Sequence, residues 1–203
     1  MKAILVLNGA PPAFDRIREL AKDAPVFAAD GGAAVCFQAG VRPEWVAGDF
    51  DSQELSLLPD SWELKRFPEQ DRTDFQKVLG ALPEDITELV ILGGLGRRLD
   101  HMLTNLLIAM EIPAEMKLDF EGEGCLLTRV TSRVGFHAEL PVGSSLSLLP
   151  LSKVEGVSTQ GLKWNLDHCD MGPGLQLGQS NEVEGEVNIA LQKGCLFVWV
   201  GTP

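Results

Sequence analysis

Through its first half this chain repeats one pattern, in which a short apolar run stops at a turn of Gly, Asn or Asp and a helix-like stretch follows. Residues 3–7 stop at Asn8-Gly9, and residues 26–29 at Asp30-Gly31-Gly32. Residues 45–47 stop at Gly48-Asp49-Phe50-Asp51-Ser52, and residues 89–92 at Gly93-Gly94-Leu95-Gly96. Short continuous apolar runs suit strands buried on both faces, and strand–helix alternation builds a mostly parallel sheet flanked by helices. In such a sheet ligands gather where the strands end. Helices are expected from Pro11-Pro12 to about Ala21, from Gly32 to Gly40, after Thr73, and from Met102 to Met110, with residues 62–67 alternating like a further strand. Thr73-Asp74-Phe75-Gln76 has the form of a capping box. Phe75, Val78, Leu79 and Leu82 then share one helical face, with Asp74 and Lys77 off it.

After Glu121-Gly122-Glu123-Gly124 the pattern changes. Residues 126–130, 136–140, 145–149, 187–191 and 195–200 are short strand-like runs between turn residues, with no convincing helix. The fold class expected is α/β: a mostly parallel sheet flanked by helices over residues 1–121, followed by an all-β, sandwich-like domain over residues 122–203.

The bulk properties exclude several classes of function. The 203 residues are 45% hydrophobic and 23% charged, as in soluble globular proteins. No apolar run approaches the ~18–20 residues of a membrane helix. The N-terminal run breaks at Asn8-Gly9 without a signal-peptide cleavage site, so it is read as a first strand and a cytoplasmic location is expected. A net charge of −12 disfavours nucleic acid and anionic membranes as partners. An anionic nucleotide then needs Mg²⁺ or a local basic patch. Cys36, Cys125, Cys169 and Cys195 show no paired spacing and read as free thiols in a reducing compartment.

Chemistry concentrates in Gly93-Gly94-Leu95-Gly96-Arg97-Arg98-Leu99-Asp100-His101. Glycines between a strand and a helix let backbone N–H groups approach a phosphate, arginines neutralise its charge, and an Asp can hold a bridging metal ion. Asp30, Asp49, Asp51, Asp71, Asp74 and Asp100 all fall at or just beyond expected strand ends, so the sheet would bring them to one edge. Clustered carboxylates repel, and a divalent cation relieves them. Each piece has an ordinary reading: a turn, a helix start, a solvated arginine pair, a hydrogen-bonding His101. Their joint occurrence at one edge points to binding and cleavage of a nucleotide polyphosphate.

Asp30-Gly31-Gly32-Ala33, Gly48-Asp49-Phe50-Asp51-Ser52, Gln70-Asp71-Arg72-Thr73-Asp74 with Lys77, and the glycine–arginine segment, in this order, resemble the thiamine pyrophosphokinase (thiamine diphosphokinase) family. Gly161-Leu162-Lys163-Trp164 and Ser180-Asn181-Glu182 look like that family's β-domain motifs. The resemblance implies an α/β domain and a β-sandwich domain in a homodimer with active sites between subunits. It implies transfer of a pyrophosphoryl group from ATP to the hydroxyethyl oxygen of thiamine, giving thiamine diphosphate and AMP. On it, Asp49, Asp51 and Asp74, with Asp100 next, are the expected Mg²⁺ ligands and catalytic acids. Asp30, Gly94, Gly96, Arg97, Arg98, Asp100 and His101 are the expected ATP contacts. Gln70 and, from a partner copy, Trp164, Ser180 and Asn181 are the expected thiamine contacts. The competing readings are a pyrophosphokinase for another alcohol such as a pterin, a glycosyltransferase using Asp49-Phe50-Asp51, and a ligand sensor without activity.

Overall fold

The computed structural model describes residues 1–50, 58–176 and 178–201. Two compact units emerge: Met1–Ile108 with Phe120–Glu123, and Ala109–Asp119 with Gly124–Pro203.

The first unit begins β1 (Lys2–Val6), α1 (Phe14–Leu20), β2 (Val26–Ala29), α2 (Gly32–Ala39) and β3 (Trp45–Gly48). It continues β4 (Leu64–Arg66), α3 (Asp74–Ala81), β5 (Glu88–Leu92) and the start of α4 (Leu99–Glu111). The strands lie in the order β5-β1-β2-β3-β4, all parallel. Ile4, Val6, Val26, Ala28, Val46, Val90 and Leu92 pack with Ile17 and Cys36 of the helices into one core. This is the two-sided burial that the unbroken apolar runs require.

Two local expectations shift. Helix α1 starts at Phe14, past Pro11-Pro12, because a residue before proline is held extended and Ala10 N–H is committed to Leu95 O at 3.0 Å. The strand expected over residues 62–67 shortens to an edge strand over Leu64–Arg66.

The capping box of α3 is complete. Gln76 N–H donates to Thr73 Oγ1 at 3.2 Å, and Thr73 N–H donates to Gln76 Oε1 at 3.0 Å. Phe75 and Val78 are buried as expected, while Leu79 and Leu82 are only half-buried. Lys77, placed off the apolar face by its spacing, is nevertheless buried, at 3% exposure.

The second unit carries β7 (Cys125–Thr131), β8 (Phe136–Ala138), β9 (Ser145–Leu149), β10 (Val154–Leu162), β11 (Cys169–Met171), β12 (Gly178–Ala190) and β13 (Cys195–Gly201). A strand before them, β6 (Lys117–Gly122), is divided between the units. Strand β12 is long enough to serve two sheets. Its first part pairs with β9, which continues through β13 to β7, and its later part pairs with β8 and β10. Val130, Leu146, Leu148, Val157, Val187, Ile189, Leu196 and Val198 fill the core of this sandwich-like unit.

Sequence periodicity captured only the end of β12 and missed β10 and β11. Register shifts at Gly161 (φ 80°) and Ser180 (φ 59°) interrupt the alternation on which such reading depends.

The expected single cut near residue 121 is replaced by interleaving. Arg129, buried in β7, donates to the carbonyls of Ala109, Ile112, Pro113 and Met116 at 2.6–2.8 Å. It thereby serves carbonyls at the C-terminal end of α4 that have no helical partner, and fixes residues 109–119 to the β unit.

Candidate active site

A cleft of about 770 Å³ opens at the C-terminal ends of the parallel strands. The loops after β1, β2, β3 and β5 and the first turns of α3 and α4 line it. The loops after β1 and β5 run side by side: Leu7 N–H donates to Leu92 O at 2.8 Å, and Gly9 N–H to Gly93 O at 2.7 Å. A Cβ on Gly9 would sit 2.1 Å from Gly93 O, and Gly93 itself has φ 68°, so both positions require glycine. Between these strands the chain departs in opposite directions, which is where a doubly wound sheet leaves a crevice.

Asp30, Asp49, Asp74 and Asp100 line this cleft, as do Gly94, Gly96, Arg97, Arg98, His101 and Gln70. Asp71 does not line it, and Asp51 lies outside the described residues.

Gln70 Nε2 donates to Asp49 Oδ2 at 2.8 Å. Lys77 Nζ lies 3.8 Å from that same oxygen and 3.3 Å from Asp74 Oδ1. A string thus runs Gln70–Asp49–Lys77–Asp74. The sequence places Lys77 with the Gln70–Asp74 motif but gives it no role; its place one turn after Asp74 in a helix is the available signal.

In the glycine–arginine segment, Arg98 donates through Nε and Nη2 to both oxygens of Asp100, at 3.1 and 2.6 Å. This fork holds the Asp100 carboxyl down at about 2 and raises the Arg98 guanidinium. Both side chains are exposed, so the pair is open to exchange partners. Arg97 is turned elsewhere: its φ is 54°, and Nη1 donates to the backbone and side-chain oxygens of Asn8 at 3.1 and 3.3 Å. It braces the loop after β1. Asn105 Nδ2 donates to Gly94 O at 3.0 Å and ties α4 to the same segment.

Of the expected metal group, Asp49, Asp74 and Asp100 each stand beside a cation. Among the described residues no three acidic, His or Cys side chains gather as a ready cage. Asp100 is taken by Arg98, and Lys77 stands by Asp49 and Asp74. The hard oxygen donors still fit Mg²⁺, which is usually bound by one or two carboxylates together with substrate phosphate oxygens and water.

In the β unit, Trp164, Ser180 and Asn181 come together. Asn181 Oδ1 accepts from Trp164 N–H at 3.2 Å and from Glu182 N–H at 2.9 Å, while its Nδ2 donates to Trp164 O at 2.8 Å. Ser180 N–H donates to Ser147 Oγ at 2.9 Å. The Trp164 side chain remains 58% exposed. Buried Asn181 therefore acts through the backbone of Trp164, whose ring has the Lys163 Nζ 5.1 Å from its centroid and is otherwise largely exposed.

Comparison with known proteins finds two family models on this chain. One, described as thiamin pyrophosphokinase, catalytic domain, matches residues 17–119. The other, described as thiamin pyrophosphokinase, vitamin B1 binding domain, matches residues 133–196. Thiamine pyrophosphokinase 2 of Arabidopsis thaliana is 27% identical over 175 residues, covering 78% of this chain and 64% of the relative. Thiamin pyrophosphokinase 1 of Caenorhabditis elegans is 27% identical over 193 residues, covering 87% and 79%. The chain thus spans just under two thirds of the length of its Arabidopsis relative. Among solved structures, thiamine pyrophosphokinase from Bacillus subtilis superposes with a TM-score of 0.83 at 21% identity over the whole of both chains. That from Candida albicans does so with a TM-score of 0.81 at 16% identity, covering all of this chain and 89% of the other. At these identities the structural likeness speaks for the fold.

Proposed function

The chain belongs to the thiamin pyrophosphokinase family, and from that premise we propose that it transfers the pyrophosphoryl group of ATP to thiamine, giving thiamine diphosphate and AMP. The observation that carries this reading is one cleft holding both the Gln70–Asp49–Lys77–Asp74 string and the Arg98–Asp100 fork. Transfer of a phosphoryl group demands placement and charge neutralisation more than covalent participation by the protein.

The hydroxyethyl oxygen of thiamine bonds to the β-phosphorus. The bond from that phosphorus to the α–β bridging oxygen breaks, AMP leaves with the oxygen, and the hydroxyl proton passes to solvent. Arg98 exchanges Asp100 for the triphosphate, and the backbone at Gly94 and Gly96 approaches it. Asp74 accepts a hydrogen bond from the attacking hydroxyl and so orients it. Orientation is the larger part of that role, since placement dominates this chemistry. Asp49 and Asp74, with Asp51 and Asp100, would hold Mg²⁺, which would offset the negative charge of the phosphates. Asp30 and His101 complete the nucleotide side, and Arg97 supports it by bracing Asn8.

Gln70 and the exposed face of Trp164 contact thiamine, the latter from a partner copy in a homodimer. A thiazolium over the indole gains ~0.5–2 kcal/mol from cation–π attraction. Asn181 supports this contact by fixing the Trp164 backbone. No helix among the described residues is long and apolar enough to cross a membrane. The four free cysteines suit the reducing, cytoplasmic setting proposed for the chain.

The test is to incubate purified protein with Mg-ATP and thiamine and resolve the products. Thiamine diphosphate and AMP in equal amounts are expected. ADP with thiamine monophosphate would make the protein a simple kinase. No thiamine product from protein that binds Mg-ATP would overturn the acceptor and favour a pterin alcohol.

A further inference from the structure

We infer that Lys77 is the resident counter-ion of the Asp49 and Asp74 carboxylates, a positioning residue that holds both in place before a metal or nucleotide arrives. The inference rests on reading the cleft as a phosphoryl-transfer site, and its test omits both substrates so that the two stand or fall separately.

Three observations support it. The ammonium lies 3.3 Å from Asp74 Oδ1 and 3.8 Å from Asp49 Oδ2. The Lys77 side chain is 2% exposed, against 18% for Asp49 and 44% for Asp74, so the cation lies beneath the two anions. The helix that carries it is anchored by a complete capping box at Thr73, which fixes the offset between Asp74 and Lys77.

A buried ammonium is costly unless it is paired. Here it offsets like-charge repulsion between acids that reach the cleft from different elements, the end of β3 and the start of α3. These three groups sum to one negative charge, which leaves little attraction for a free divalent ion. A metal that arrives with the phosphates of a nucleotide brings its own additional ligands. Lys77 thus disfavours metal binding to the empty enzyme while keeping the carboxylates ready for the metal–nucleotide complex.

This predicts that removing the lysine strengthens metal binding, where loss of a merely structural residue would weaken it. The experiment titrates Mn²⁺ into wild-type, Lys77→Met and Asp74→Asn/Lys77→Met protein without nucleotide or thiamine, following free Mn²⁺ by electron paramagnetic resonance and folding by thermal melts. Lys77→Met is expected to bind Mn²⁺ at least tenfold more tightly than wild type and to melt at a lower temperature that Mn²⁺ restores. The double variant, whose cluster again carries one negative charge, is expected to return to weak Mn²⁺ binding and a melting temperature near wild type. Unchanged or weaker Mn²⁺ binding by folded Lys77→Met overturns the inference. Should Lys77→Met fail to fold, a folded double variant supports it. Failure of both overturns it, because the loss then follows the bulk of the side chain rather than its charge.

Discussion

The two units gather polar residues in opposite ways. In the α/β unit, Asp30, Asp49, Asp74 and Asp100 are far apart in sequence, yet all line one cleft, because parallel strands deliver their ends to a single edge. In the β unit, Trp164 meets Asn181 only because β10 and β12 each shift register nearby, at Gly161 and Ser180. The first arrangement follows from topology; the second depends on individual irregularities. The proposed function divides its labour along this contrast, with phosphoryl chemistry at the sheet edge and recognition of the acceptor by Trp164 on the strand surface.

The same contrast appears in the two buried cations. Lys77 lies beside carboxylates in the cleft, whereas Arg129 is satisfied by backbone carbonyls and, among the described residues, leaves its Nε as the one buried side-chain polar atom without a hydrogen-bond partner. Burial pulls the Arg129 guanidinium below its ordinary range. One cation serves the site and the other serves the fold, so the two respond differently to substitution.

The sharpest break in the comparison comes from the sheet edge. Asp74→Ala is expected to lower turnover by about 10³-fold or more while the protein still melts cooperatively, since charge placement dominates this chemistry. Steady-state rates paired with a thermal melt decide it, and turnover within tenfold of wild type removes Asp74 from its role. Next, Arg129→Leu is expected to cost about 3–5 kcal/mol in urea unfolding, because buried carbonyls lose their donors, while activity per folded molecule persists. A stability loss below about 1 kcal/mol would contradict the structural assignment.

A smaller effect separates the neighbouring arginines. Arg98→Ala should raise the KM for ATP by about 10- to 100-fold, in line with ~1.5–3 kcal/mol for a charged hydrogen bond. Arg97→Ala should change it less and lower the melting temperature more. Equal KM effects would cancel the distinction drawn from Asn8.

The mildest expectation concerns thiols. Burial pushes Cys36 up to about 12 and Cys195 up to about 11, from an ordinary 9.0. Both should resist a thiol reagent at pH 8 in the folded protein, while Cys125 and Cys169, which are partly exposed, react. Unfolded thiols ionise near 9 and these folded ones do not, so stability should fall as pH rises above that value. Fast labelling of all four cysteines would contradict the burial.

Much of the α/β unit was legible because the signals were local and agreed with one another. Apolar runs marked β1, β2, β3 and β5, and the Thr73–Gln76 box marked the start of α3. Lys77 was legible as part of the Gln70–Asp74 motif, but its role was not, because a helical wheel places a charge off the apolar stripe and cannot show that acids wait above it. The sequence favours Arg98 over Arg97 for the triphosphate but does not show where Arg97 goes; the φ of 54° at Arg97 and its hydrogen bonds to Asn8 show that. The interleaved boundary was hidden because it depends on Arg129 reaching carbonyls 13–20 positions earlier.

The measurement that tests this division of labour most directly is steady-state kinetics of Trp164→Leu against both substrates. Trp164 is exposed and far from the cleft residues in sequence, so its loss leaves the fold intact. The account predicts a KM for thiamine raised about tenfold, in keeping with cation–π attraction of ~0.5–2 kcal/mol, with the KM for ATP unchanged. Equal increases in both constants, or no change in either, would contradict the assignment of acceptor recognition to the β unit.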